Sequence, residues 1–177
     1  RRLIGRQRIG LGARVQFGSV VDSVDFSQRP FVLTVDGEPM NTQTVIIATG
    51  AGHRHLGLES EDKLEKKGVT YCATCDGALP MFRSQPVVVV GGGDSACEEA
   101  MYLTRFASVV HLIHRRDSLR ASKIMADRTL ANSKIKPVWD SAVTEILDVQ
   151  QDKVTGVKVK NLKTNAGSLI DCAGVFV

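Results

Sequence analysis

Cys72 and Cys75, three residues apart and followed at once by Asp76, are residues whose types and spacing point to chemistry. Thiols at that spacing fit adjacent positions of one helical turn. There a disulfide closes readily, and the free N–H groups of the first turn favour a thiolate. Asp76 stands where it can give or take a proton if its surroundings raise its pKa. The same pair is also half of a zinc site, or two inert thiols. A zinc site needs a second pair of ligands. Cys97 lies in a helical pattern, Cys172 in a short apolar strand, and the four histidines show no ligand spacing. The redox reading ranks first, and no metal is expected.

A second constellation begins at Gly91. The segment Gly91-x-Gly93-x-x-Ala96 follows the four-valine run Val87–Val90 and opens a helical pattern. That context fits a dinucleotide site. Gly91 permits the tight turn, Gly93 leaves room for a pyrophosphate, and Ala96 lets helix and strand pack closely. An ordinary glycine-rich turn is the plain alternative. The next strand, Val109–Ile113, ends in His114-Arg115-Arg116, with Arg120 four residues on. An NAD site places an acid near this point. Guanidinium groups bind a ribose 2′-phosphate instead, so NADP is the expected cofactor. Asp117 reads as a partner of these arginines. A solvated charge run is the alternative; nucleic-acid binding lacks the aromatic platform it would need.

Hydride carries two electrons, and direct transfer from a nicotinamide to a disulfide is not the usual route. A flavin placed between them solves that problem. No flavin site is legible from the residues alone.

These side chains need a frame. The chain has 177 residues, 43% of them hydrophobic and 24% charged, with a net charge of +4. This excludes a disordered tail, a coiled coil and a cysteine-stapled mini-protein. There is no signal-peptide pattern and no run of 18 apolar residues, so a soluble, cytoplasmic protein without membrane contact is expected. Arg1 to Gly12 reads as the glycine-interrupted end of a helix. Arg14–Phe17, Val20–Phe26 and Phe31–Val35 read as strands of a meander, Asp36–Pro39 as a turn, and Thr44–Ala48 as a buried strand ending at Thr49-Gly50. Ala51–Gly68 reads as a linker. Val87–Val90, the helix from Asp94 to about Phe106, Val109–Ile113, the helix Ser122–Ala131 and Ile135–Trp139 follow. Their order is that of half a doubly wound nucleotide-binding sheet. Val143–Val149, Val154–Leu162 and Leu169–Cys172 look like a three-stranded antiparallel insertion, and Gly174–Val177 begins another apolar run. The expected fold class is α/β: a Rossmann-like NAD(P)-binding domain with that insertion, plus a partial, β-rich segment of a second domain.

With these elements in place, the sequence closely resembles the low-molecular-weight thioredoxin reductases. The resemblance rests on Ala48-Thr49-Gly50, Cys72-Ala73-Thr74-Cys75-Asp76-Gly77, Gly91-Gly92-Gly93-Asp94-Ser95-Ala96 with Glu98-Glu99-Ala100, and His114-Arg115-Arg116-Asp117-x-x-Arg120-Ala121. It implies residues 1–53 as part of an FAD domain, 54–173 as an NADPH domain, and 174–177 as the start of a return strand. It implies that Cys72 and Cys75 form the redox disulfide and that Asp76 is the acid–base residue. NADPH would be bound by Gly91 to Ala96, Glu98, His114, Arg115, Arg116 and Arg120. Of the FAD contacts, only Thr49 and Gly50 carry over. Thioredoxin is the implied acceptor and a homodimer the implied assembly, with a peroxiredoxin-type disulfide as the alternative acceptor.

Overall fold

The computed structural model describes residues 6–9, 13–50 and 52–177, with side chains from Arg14 onward. The chain divides into two compact units, Arg1–Ala51 and Gly52–Val177.

The first unit is all β. Strand β1 (Arg6–Ile9) pairs antiparallel with β2 (Ala13–Gln16). Strands β3 (Val21–Asp25), β4 (Phe31–Val35) and β5 (Glu38–Thr42) form a meander. Between β4 and β5, Asp36 and Gly37 both take positive φ, 51° and 84°, which closes a two-residue hairpin whose twist matches the strands. Three expectations change here. Arg6–Ile9 is a strand, because Gly5 and Gly10 break any helix and the ladder with β2 satisfies its backbone instead. The rest of that expected helix, residues 1–5 and 10–12, lies outside the described residues. Glu38-Pro39, read as a turn, begins β5; proline is tolerated there because β5 is an edge strand. Thr44–Ala48 is not a strand. No described strand pairs with it, and Ile46 and Ile47 are left 91% and 71% exposed.

The second unit is α/β. In order it contains α1 (Glu59–Leu64), β6 (Val69–Thr70), α2 (Ala73–Asp76), β7 (Pro86–Val90), α3 (Asp94–Leu103), β8 (Val109–Ile113), α4 (Lys123–Ala131), β9 (Ile135–Val138), β10 (Ser141–Leu147), β11 (Gly156–Asn161), β12 (Gly167–Asp171) and β13 (Gly174–Phe176). Five strands make a parallel sheet in the order β6-β13-β7-β8-β9. Strands β10, β11 and β12 form the expected antiparallel insertion.

The valine run explains the layering. Val87 and Val89 point to one side, into a core with Ala73, Ala100, Leu103 and Phe176. Val88 points to the other, into a core with Leu64, Ile146, Val157 and Val159. Alternate residues of β7 therefore hold helices α2 and α3 against one face, and α1 with the antiparallel sheet against the other. Part of the expected linker is α1. It is anchored by Leu64 and by Glu61, both fully buried, and Glu61 accepts hydrogen bonds from the N–H groups of Leu56, Gly57 and Leu58. A carboxylate buried in this way is satisfied by those N–H groups and fixes the chain before the helix to it.

Candidate active site

Cys72 is the extended N-cap of the single-turn helix α2, and its Sγ accepts a hydrogen bond from Cys75 N at 3.2 Å. The two sulfurs form a disulfide, with Cα atoms 5.3 Å apart. Helix α2 rests on α3. A Cβ at Gly77 would lie 2.6 Å from the Ala73 carbonyl oxygen and 2.7 Å from Leu103 Cδ2, so only glycine lets the turn close on that helix. Two groups missed in the sequence converge here. The Thr70 hydroxyl donates to Asp76 Oδ2 and accepts from Cys72 N–H at 3.3 Å. On α3, burial pushes the Glu99 carboxyl pKa up, opposed by a hydrogen bond with the Ala73 backbone. For Thr70 only its place two residues before Cys72 could have served as a signal; Glu99 sat in a recognised motif without an assigned role.

Just before the disulfide, the Tyr71 hydroxyl donates to Glu61 Oε1 at 3.1 Å and contacts His55 Nδ1 at 3.0 Å, while His53 stacks on the Tyr71 ring. Burial, then the hydrogen bond to Glu61 and its charge, pushes the Tyr71 phenol pKa up. His55, Glu61 and Asp62 bring potential metal-ligand atoms within 4.8 Å of one another. The Glu61 oxygens are already taken by three N–H groups and Tyr71, so no metal is assigned.

The glycine turn joins β7 to α3. Gly91 has φ 152°, and a Cβ there would sit 2.7 Å from the Cβ of Ala96, so helix and strand meet through these two residues. A Cβ at Gly93 would meet nothing within 4 Å. Gly93 is the N-cap of α3 and offers no side chain to cap its first-turn N–H groups. Asp94, expected among the nucleotide contacts, accepts from both the N–H and the hydroxyl of Ser122 at 2.9 Å. Those bonds hold its carboxyl pKa below the ordinary value and tie α3 to the start of α4. Ser95 is exposed at the same helix start, and Glu98 is exposed one turn further on.

The basic segment folds back onto this turn. The Gly92 carbonyl accepts from Arg120 N at 2.6 Å and from Ala121 N at 3.1 Å. The His114 ring packs beneath Gly92, where a Cβ would lie 2.3 Å from the ring. His114 is 5% exposed, and its Nε2 has no hydrogen-bond partner. Burial first, then Arg120, Arg116 and Arg115, hold its pKa below the ordinary value. Arg115, Arg116 and Arg120 are exposed. Asp117 does not pair with them. Its carboxylate meets Lys163 at 3.2 Å, and Lys163 also reaches Asp140 at 3.0 Å, because β11 and β12 carry that lysine to the loop. Among the described residues the three arginines have no acidic partner, so a polyanion would meet uncompensated charge.

Thr49 and Gly50 belong to the first unit and are exposed, whereas the other site residues belong to the second. Gly50 has φ 83°, and a Cβ there would meet nothing. Together they leave space for an approaching ligand, with the Thr49 hydroxyl and the backbone N–H groups as possible donors.

The chain is similar in sequence and in fold to known proteins. The sequence profile of the pyridine nucleotide-disulphide oxidoreductases matches residues 6–177. A thioredoxin reductase of Rickettsia conorii is 50% identical over 159 residues, 89% of this chain and 51% of the relative. Thioredoxin reductase 2 of Arabidopsis thaliana is 46% identical over 165 residues, 90% and 43% of the two chains. The crystal structure of the Giardia duodenalis thioredoxin reductase superposes with a TM-score of 0.76 at 40% identity, over 89% of this chain and 51% of that one. The Lactococcus lactis thioredoxin reductase in its FR conformation gives 0.72 at 40% identity over the same shares. The chain spans about half the length of these relatives.

Proposed function

The chain belongs to the pyridine nucleotide-disulphide oxidoreductase family, and from that premise we propose that it is the NADPH-binding, disulfide-carrying part of a thioredoxin reductase. The observation that carries this reading is one domain holding both a Cys72–Cys75 disulfide and a glycine turn flanked by arginines without acidic partners. The residues fit a dinucleotide. Open space at Gly93 and the free N–H groups at the start of α3 suit the pyrophosphate. Arg115, Arg116 and Arg120 suit the 2′-phosphate. His114 supports the turn from below, and Ser95, Ala96 and Glu98 line its helical side.

NADPH and a proton reduce the disulfide to two thiols; NADPH leaves as NADP⁺ with one hydride fewer. FAD, when bound, would relay the electron pair between nicotinamide and sulfur, with Thr49 and Gly50 as its contacts on this chain. The Cys72–Cys75 dithiol then reduces a second disulfide by exchange, and Asp76 holds or gives the proton at the departing sulfur. Thioredoxin is the acceptor in this reading, supported by the printed names of the relatives. The domain assignment follows: 1–53 to an FAD domain, 54–173 to the NADPH domain, 174–177 to a return strand. The enzyme is proposed as a cytoplasmic homodimer; no helix among the described residues is long and apolar enough to cross a membrane.

The test follows NADPH oxidation by the full-length, FAD-loaded enzyme with thioredoxin as acceptor. Cys72→Ser and Cys75→Ser should each abolish thioredoxin reduction and leave NADPH binding in place. Turnover that survives both replacements refutes the assignment.

A further inference from the structure

Asp76 does not stand alone. Its Oδ2 accepts the hydroxyl of Thr70, a residue on β6 that is 7% exposed, and the same hydroxyl oxygen accepts the backbone N–H of Cys72 at 3.3 Å. A threonine hydroxyl has one proton to give. Here it goes to Asp76, which engages one lone pair of Oδ2 and makes Oδ1 the more basic oxygen of the carboxylate. Through the Cys72 N–H, the same oxygen fixes where the N-cap of the redox turn lies relative to that carboxylate. Thr70 is itself held by the parallel sheet, since β6 pairs with β13 through Thr70 and Phe176. One hydroxyl thus links a rigid strand, the proton-carrying carboxylate and the first cysteine.

We propose that Thr70 is the positioning residue of the disulfide site, selecting Oδ1 of Asp76 as the proton-carrying oxygen and holding it in register with Cys72. The proposal rests on the reading of Asp76 as the proton donor. In the exchange step an incoming thiolate bonds to one sulfur of the pair and the Cys72–Cys75 bond breaks. The departing sulfur keeps the electron pair and takes a proton from Asp76. Removing the hydroxyl frees the carboxylate to turn away from Cys72, so the proton reaches the departing sulfur less often and exchange slows.

The experiment measures the rate at which dithiothreitol reduces the oxidised full-length protein at one fixed pH, with free thiols trapped by alkylation. Thr70→Val keeps the shape and removes the hydroxyl; it should slow reduction about tenfold, the equivalent of one lost hydrogen bond to a charged group. Thr70→Ser should keep the wild-type rate. If the valine variant does not fold, Thr70→Ala against Thr70→Ser is the same comparison with the methyl absent from both. Asp76→Asn should slow reduction at least as far, and adding Thr70→Val to it should change nothing further. A wild-type rate in Thr70→Val while Asp76→Asn is slow overturns the role of Thr70 alone. Thr70→Ser slowed as far as Thr70→Val also overturns it, because the hydroxyl then is not the cause. A wild-type rate in Asp76→Asn overturns the underlying reading of Asp76.

Discussion

Replacing Gly92 with alanine tests how the nucleotide turn is held. The new Cβ would lie 2.3 Å from Cε1, 2.4 Å from Nδ1 and 2.6 Å from Nε2 of His114. Neither side can step aside easily. The Gly92 carbonyl is pinned by Arg120 N and Ala121 N, while the His114 backbone bonds to Val138 O and Ser141 N, both at 3.0 Å. Overpacking of this kind costs about 1–3 kcal/mol. For a domain of this size that is a fall in Tm of roughly 2–12 °C, taking about 2–4 °C per kcal/mol. Truncating His114 to alanine removes the ring the methyl strikes, and with Nε2 unpartnered the hydrogen bond to the Ser118 backbone is the one lost with it. The double variant Gly92→Ala/His114→Ala should therefore be more stable than the sum of the single changes by about 1 kcal/mol or more. Thermal melting and urea titration of the four proteins close the cycle. A Gly92→Ala protein that melts with the wild type, or single effects that simply add, would refute the packing argument.

Two further outcomes follow from the charges. Arg115→Ala and Arg116→Ala together should weaken NADPH binding by roughly 100-fold and leave NADH nearly unchanged, taking about 1.5 kcal/mol for each exposed charge-assisted contact; equal losses for the two nucleotides in calorimetric titration would remove the 2′-phosphate argument. Glu99 titrates above its ordinary value of 4.5 in the folded protein because of burial. The folded state thus binds the proton more tightly than the unfolded one, so its contribution is full below pH 4.5 and is lost as pH rises through the folded pKa. Glu99→Gln should flatten that loss and raise stability at neutral pH, read by denaturant titration; an unchanged pH dependence would contradict the assignment.

The parallel sheet and its glycine turn were legible because their signals are local. A valine run followed at once by glycines and an alanine-spaced helix leaves few other structures open. The cysteine pair was equally plain. What the sequence hid depends on distant partners. Asp117 sits among arginines in the chain yet pairs with Lys163, which only the fold of β11 and β12 brings near. Thr44–Ala48 has the composition of a buried strand, but a strand needs a neighbour, and none of the described strands pairs with it. Helix α1 was hidden because a carboxylate, Glu61, takes the buried place that an apolar residue holds in an ordinary amphipathic helix. Thr70 carries no motif of its own, and its role appears only once β6 and α2 are folded side by side.

The central claim is that electrons from NADPH arrive at Cys72 and Cys75. Peptide mapping after a single reduction of the full-length, FAD-loaded enzyme tests it most directly. One equivalent of NADPH is added anaerobically, thiols are alkylated, and the labelled cysteines are identified by mass spectrometry. The account predicts two new labels, on Cys72 and Cys75. Cys97 and Cys172 are buried, and burial pushes the Cys172 thiol pKa up to about 12, so neither should change on adding NADPH. NADPH-dependent labels on Cys97 or Cys172, or none on Cys72 and Cys75, would contradict it.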